Sequence, residues 1–351
     1  MSSSASVGEN NRFNRINVSI LLNLGIGLIK VGLNGLGRFG LRLLRLWIHE
    51  KNSGKTNYEI VQINEPFSSP SQIVRNLKAD AVVGPIGFPV RLIGKNTLSI
   101  SNKKIGLLSE SKPGLIPWSE DVSLVFECSG QFTKRKQAMQ HFRKNIRKVL
   151  ISATSMSADK TLIVGFNEKE YAASKHHVVS YGSCTINCFL PVAKIVHSKF
   201  GILSASASVI HNTPLNKISK PFGEILLKPC TLEYVGPKLF PVLKDFFVNY
   251  RTVPYPGVSL MDLRFVLKKK ATPRQVNRIF EEASRKSLKG LVQLLKSEKD
   301  SNAFIGSSFS AIVLGKQTRV IGNQLLLSAW FDNENSATRF NDVAKIIVAR
   351  L

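Results

Sequence analysis

Cys184 stands where a nucleophile would be built. It lies in Tyr181-Gly182-Ser183-Cys184-Thr185-Ile186-Asn187-Cys188. An apolar run, Val178-Val179-Ser180, precedes it, and the apolar residues from Phe189 to Val196 have helical spacing. The pattern predicts a strand, a tight turn and a helix, with Cys184 at the helix start. Amides at a helix N-terminus lack intrahelical partners and favour an anion. A thiol there is expected to have a lowered pKa, and the thiolate is the reactive species. Cys188 falls one turn further along the same face. His211 ends a strand-like run from Leu203 to Ile210. Against these readings, free cysteines are more often buried and inert, and a lone histidine is more often a hydrogen-bonded structural residue.

A second constellation is phosphate-directed. Lys30-Val31-Gly32-Leu33-Asn34 reads as a buried strand running into Gly35-Leu36-Gly37-Arg38-Phe39-Gly40, and then into a helix with Leu43, Leu44 and Trp47 on its apolar side. Gly-x-Gly-x-x-Gly alone is weak, but strand before and helix after make it a dinucleotide fingerprint. Gly35 permits the tight turn, Gly37 the close approach of pyrophosphate, and Gly40 the packing of helix on strand. The diphosphate is expected on the helix N-terminus, contacting Gly35 to Gly40, including Leu36, Arg38 and Phe39. The next strand, Tyr58 to Asn64, ends at Glu65. An acidic residue there accepts from ribose hydroxyls and repels a 2′-phosphate, which favours NAD over NADP.

The totals bound the rest. At 351 residues the chain is long enough for two domains with substantial cores. Its four cysteines have no framework spacing, and its six histidines form no ligand cluster, which argues against a disulfide scaffold and a zinc site. Lys plus Arg is 49 against 23 Asp plus Glu, a net charge of +26. Such a field attracts phosphorylated metabolites, but also nucleic acid or anionic membranes. The clusters Lys134-Arg135-Lys136 and Lys268-Lys269-Lys270 carry no interleaved aromatics of the kind that stack bases, so nucleic acid is not specifically signalled. Residues 1–29 form an extension, polar to Asn14 and then apolar from Val18 to Ile29, too short and too broken to span a bilayer. A cytoplasmic protein is expected, or an organellar one if the extension is a targeting peptide.

The segment around Cys184 closely resembles the active-site segment of phosphorylating glyceraldehyde-3-phosphate dehydrogenases, Ser-x-x-Ser-Cys-Thr-x-Asn-Cys. Ser180, Ser183, Cys184, Thr185, Asn187 and Cys188 all fit it. Asn64-Glu65-Pro66-Phe67 is similar to the family's Asn-Asp-Pro-Phe. Glu127-Cys128-Ser129-Gly130, with Phe132 and Thr133, is similar to its Glu-Ser-Thr-Gly stretch on the nicotinamide side. Trp330-Phe331-Asp332-Asn333-Glu334 is similar to its Trp-Tyr-Asp-Asn-Glu. The resemblance runs from about Lys30 to the C-terminus.

The resemblance implies an α/β protein. A Rossmann-type NAD-binding domain would cover 30–182, and an α+β catalytic domain with a mixed or antiparallel sheet 183–335. The C-terminal helix, 336–351, would pack back on the first domain. It implies a homotetramer, or a dimer if the loop between Asn212 and Gly257, shorter here than in the family, weakens assembly. It also implies oxidation of a small phosphorylated aldehyde through a thioester on Cys184, with His211 as base, NAD as hydride acceptor and inorganic phosphate releasing an acyl phosphate. Ser129, Thr133 and Asn333 would contact NAD, and Ser183 and Thr185 the phosphate.

Between Pro214 and Thr252 the chain departs from the family. Pro214 stands for an expected Thr, and Thr252 for an expected Arg, with Arg251 one residue away. Gly236 is expected to supply the phosphate-binding step, and Arg251, Lys217 or Lys220 the missing cation. These departures leave open erythrose 4-phosphate or an unphosphorylated aldehyde as substrate. They also leave open a non-catalytic, structural or RNA-associated member of the family.

Overall fold

β-Branched and leucine residues make the first strand, β1 (Ile29–Asn34), and Val31 and Leu33 are fully buried in it. Gly32 lets the Trp118 ring lie directly on the strand, where a Cβ would come within 2.7 Å of the ring. The following helix, α1 (Arg38–Asn52), turns Leu43, Leu44, Trp47 and Ile48 inward to full burial. Each contributes about 1.5–3 kcal/mol on leaving water. The computed structural model describes residues 28–79, 85–143, 145–213, 225–255, 257–333 and 336–351. Pro214, Lys217, Lys220, Glu334 and nearly all of the N-terminal extension lie outside the described residues.

Two sheets organise the described chain. The first contains β1, β2 (Tyr58–Asn64), β3 (Val90–Ile93), β4 (Thr97–Ile100), β5 (Lys103–Leu108), β6 (Val122–Glu127), β7 (Lys148–Ile151), β8 (Lys160–Thr161) and β9 (Val178–Ser180). Their order is β3-β4-β5-β2-β1-β6-β7-β9-β8. The pairs are parallel except where β4 joins β3 and β5. The chain moves from β1 to one side and later returns to its other side as β6. That reversal opens a crevice at the carboxyl ends of β1 and β6, the usual ligand site of such sheets. Helix α2 (Pro70–Lys78) follows β2, capped by Ser69 and Gln72. The basic segment that opens at Lys134 forms only a short helix. α3 covers Arg135–Ala138, and Met139–His141 tighten to 3-10 geometry as His141 turns fully inside.

The second sheet is mixed, as expected, in the order β11-β12-β10-β13-β17-β15-β14. Its strands are β10 (Ile202–Asn212), β11 (Leu226–Leu227), β12 (Phe246–Val253), β13 (Ser259–Leu267), β14 (Val292–Leu295), β15 (Ala311–Leu314) and β17 (Gln324–Phe331), with β16 (Arg319–Ile321) paired to β17. Helices α4 (Cys184–Phe200), α5 (Thr231–Leu239) and α6 (Pro273–Arg285) belong to this half. Phe189 of α4 packs against Phe246 and Phe265 of the sheet, with ring centroids 4.9 and 5.7 Å apart.

The last helix, α7 (Ala337–Val348), packs on α1 and β2. Tyr58 donates to Asn341 Oδ1 at 2.6 Å, and Glu50 accepts from Asn341 and Lys345. Phe340 fits among Phe39, Phe126 and Tyr181.

Candidate functional site

The crevice at the ends of β1 and β6 encloses about 510 Å³. Gly35, Leu36, Gly37, Arg38, Glu65 and Ser129 are among the residues that line it. Gly35 has φ +90°, and a Cβ there would lie 2.5 Å from the Ser129 backbone. Both facts demand glycine. Gly35→Ala is therefore expected to destabilise the fold by about 2–4 kcal/mol. A denaturation midpoint equal to the parent's would contradict this. A Cβ on Gly37 would meet nothing within 4 Å, so the turn is open at the helix start, where a diphosphate fits. Glu65 is buried, and its carboxylate accepts from the amides of Leu36 at 2.7 Å and Phe67 at 2.9 Å. It braces the glycine turn and keeps lone pairs for a ribose. The residues present fit a dinucleotide.

Two expected cofactor contacts, Phe39 and Thr133, fall elsewhere, while Gly40 keeps the packing role expected of it. Phe39 turns its ring inward to Tyr181 and Phe340, 5.5 Å away in each case. Helix periodicity points it at the core. Gly40 serves packing, since a Cβ there would overlap the Gly35 carbonyl at 2.2 Å. Thr133 lies just beyond Phe132, the last residue on that side to line the crevice.

Cys184 is the first residue of α4, after an N-cap by Ser183 whose hydroxyl accepts from the Ile186 amide. Asn187 clamps the turn by donating to the carbonyls of Tyr181 and Ser183. Cys184 Sγ lies 3.5 Å from His211 Nε2. His211 Nδ1 is 2.8 Å from the Asn212 carbonyl oxygen, which can only accept. Nδ1 therefore carries the proton, and Nε2 turns its lone pair to the thiol. Asn333 reaches the same ring with its side chain.

Electrostatics correct one expectation. Burial pushes the Cys184 thiol up, to about 12, and neighbouring Cys230 adds to the shift, while the amides of Thr185 and Cys184 oppose it. Burial likewise pushes His211 down, against the opposing pull of Asn212 and Asn333. The amides at the helix start lower the thiol's pKa less than burial raises it. Passing the thiol proton across the contact to Nε2 gives a pair with no net charge, which avoids burying an isolated thiolate. Cys188 is fully buried, and burial pushes its thiol up.

The anion-directed residues also differ from expectation. His211 of β10 pairs in register with Thr252 of β12, and Ile210 with Arg251. Alternation therefore puts Arg251 on the opposite face from His211, where it donates to Ser208 at 3.0 Å. Arg251 does not reach the site. Gly236 lies inside α5, packed against Phe246 and Leu232, and does not reach it either. In their place come residues that sequence reasoning passed over. Cys230 Sγ lies 3.9 Å from Thr185 Oγ1, and Thr231, which opens α5, lies 3.1 Å from Thr154. The N-termini of α4 and α5 thus converge beside Cys184. Lys228 stands opposite Tyr250 across β11 and β12, and the Tyr250 ring is 5.4 Å from His211. Lys228 therefore faces the site, close enough that its charge opposes protonation of His211. The signal that could have found these residues is Pro229 followed by a helix start at Thr231. Thr185 and Ser183 share a 2.9 Å hydrogen bond at the cap.

The chain matches two family descriptions. Residues 29–135 match "Glyceraldehyde 3-phosphate dehydrogenase, NAD binding domain", and residues 238–333 match its C-terminal domain. The glyceraldehyde-3-phosphate dehydrogenase of Geobacillus stearothermophilus is 31% identical over 338 residues, 92% of this chain and 99% of that protein. This chain belongs to the glyceraldehyde-3-phosphate dehydrogenase family. Glyceraldehyde-3-phosphate dehydrogenase 2 of Trichormus variabilis is 30% identical over 339 residues, with the same coverage. That of Bacillus subtilis is 30% identical over 342 residues, 92% of this chain and 98% of that protein. The two matched family regions leave out Cys184 and His211, so within the glyceraldehyde-3-phosphate dehydrogenase family the thiol–imidazole contact is the independent observation. Among the described residues no helix is long and apolar enough to cross a membrane, and no group of three or more His, Cys, Asp or Glu could hold a metal.

Proposed function

We propose that this chain is an NAD-dependent phosphorylating dehydrogenase of glyceraldehyde 3-phosphate. The observation that carries the proposal is the 3.5 Å contact of Cys184 Sγ with His211 Nε2 at the start of α4. Sγ attacks the aldehyde carbon while its proton passes to Nε2, which returns it to the carbonyl oxygen. The Cys184 amide steadies that oxygen while it is charged. His211 takes the hydroxyl proton as the hemithioacetal becomes a thioester. NAD, held by Gly35, Leu36, Gly37, Arg38 and Glu65 with Ser129 on the facing wall, would supply the two-electron acceptor, and Asn333 would fix its nicotinamide end. Phosphate, bound by the convergent helix starts with Thr185 and Thr231, attacks the thioester. The carbon–sulfur bond breaks, the acyl phosphate leaves, and Cys184 recovers its proton from His211.

Lys228 is the cation for the substrate's phosphate in this reading, in the place expected of Arg251. Lys228→Ala should lower kcat/KM for glyceraldehyde 3-phosphate by about 10- to 100-fold relative to that for unphosphorylated glyceraldehyde, the worth of a charge-assisted hydrogen bond. An unchanged ratio would remove Lys228 from the phosphate site. The reading itself is tested by NAD reduction with glyceraldehyde 3-phosphate and inorganic phosphate, at low and moderate salt because the +26 charge is screened by salt. Phosphate-dependent NADH formation is expected. No NADH from folded protein would overturn the proposal, and a preference for erythrose 4-phosphate would correct its substrate. Salt-sensitive RNA binding in place of activity would favour a non-catalytic role.

The reading includes a homo-oligomer. Leu203, Ile210 and Phe247 are 44%, 38% and 54% exposed on the second sheet, an apolar surface of the kind that subunits cover. Light scattering of the purified chain should give a dimer or tetramer.

A further inference from the structure

Behind the glycine turn, polar side chains are buried through the thickness of the first sheet. Glu127, the last residue of β6, is 1% exposed. Its Oε1 accepts from the Ser129 amide at 2.9 Å and the Ser129 hydroxyl at 2.5 Å. Its Oε2 accepts from Asn34 Nδ2 at 2.6 Å and lies 2.9 Å from His141 Nε2. Four partners thus fill the carboxylate's acceptor sites.

His141 is 0% exposed, and its Nδ1 lies 3.4 Å from the Trp118 indole nitrogen. An indole only donates. Nδ1 therefore accepts, and Nε2 carries the proton that goes to Glu127. The network continues on the other side. Asn34 Oδ1 accepts from Asn64 at 2.8 Å, and Asn64 exchanges hydrogen bonds with both backbone groups of Glu110. Asn34, Glu110 and Ser129 all line the crevice. One carboxylate, held by one histidine, therefore joins the ends of β1, β5 and β6 around the ligand site. A satisfied buried network is rigid, whereas one missing donor leaves a buried acceptor unmet.

We infer that His141 is a positioning residue for the dinucleotide crevice, acting through Glu127 on Asn34 and Ser129, and that Trp118 reports on it from the opposite face of the sheet. The inference rests on the reading of the crevice as an NAD site. Without the Nε2 donor, Glu127 Oε2 turns to other partners, and Ser129 and Asn34 lose their fixed orientation. Glutamine at 141 can still donate to Glu127; phenylalanine cannot.

The test is calorimetric titration of NAD into the full chain and its His141→Phe and His141→Gln variants. His141→Phe should weaken NAD binding tenfold or more and His141→Gln less than threefold, with the alkylation rate of Cys184 the same in all three. Because His141→Phe can also disturb folding, a second measurement uses the unaltered protein. NAD should change its tryptophan emission, and Trp118→Phe should remove that change. NAD binding as tight in His141→Phe as in the parent, or an emission change that survives Trp118→Phe, would overturn the inference and leave the NAD reading standing. No NAD binding by the unaltered protein would overturn both.

Discussion

Cys184→Ser should cut NADH formation by roughly 10⁴-fold or more while leaving NAD binding intact. The substitution removes one polarizable atom and little else. A serine hydroxyl keeps the N-terminal position on α4 and the contact with His211 Nε2, but its proton is far harder to remove than a thiol's. An alkoxide also cannot form the thioester from which phosphate must displace it. The crevice that would hold NAD is built from Gly35 to Arg38, Glu65 and Ser129, all separate from position 184, so calorimetry should return the parent's affinity. Turnover equal to the parent's would remove Cys184 as the nucleophile.

His211→Asn should slow the reaction by about 10²- to 10⁴-fold at pH 7, the usual worth of a placed general base. The sign of the accompanying pH change follows from burial. His211 sits below its ordinary value of 6.5, so in the parent its Nε2 stays free to accept a proton until the pH falls beneath that value. The acid limb of kcat/KM should therefore lie below pH 6.5. In the variant no base stands next to Sγ, and the half-buried thiol, pushed up to about 12, must ionise on its own. Alkylation of Cys184 by iodoacetamide should then be slow at pH 7 and climb only in strongly alkaline solution. A variant whose alkylation profile overlays the parent's would sink the proton-transfer role.

What could be read from the chain was local. The glycine turn and the Cys184 helix start are written in consecutive residues, where strand, turn and helix signals meet. The side-chain directions were harder. Arg251 and Thr252 are neighbours, yet a one-residue difference in register sends them to opposite faces of the second sheet, and no signal between them says which way β12 lies. Gly236 stands where the resemblance implies a phosphate-binding step, yet it lies inside a helix, packed against Phe246. Cys230 and Thr231 come after a stretch without periodicity, so only the fold brings Cys230 to Thr185 and Thr231 to Thr154. Phe39 sat inside a ligand motif and still turned inward, because the aromatic cluster had more to gain from it. Burial acts on a thiol in a way that its position at a helix start does not reveal.

The last described helix has a bearing on synthesis. The first sheet is complete by Ser180, but α7 supplies Phe340 to its aromatic cluster and Asn341 to Tyr58 and Glu50. On a ribosome, residues 337–348 emerge after the whole second sheet, on the order of tens of seconds later at ordinary elongation rates of about 5–20 residues per second. Through that interval the nascent first half keeps the Phe39, Phe126 and Tyr181 surface uncovered. Until the tail arrives, that surface is exposed apolar area of the kind that makes folding intermediates prone to aggregate.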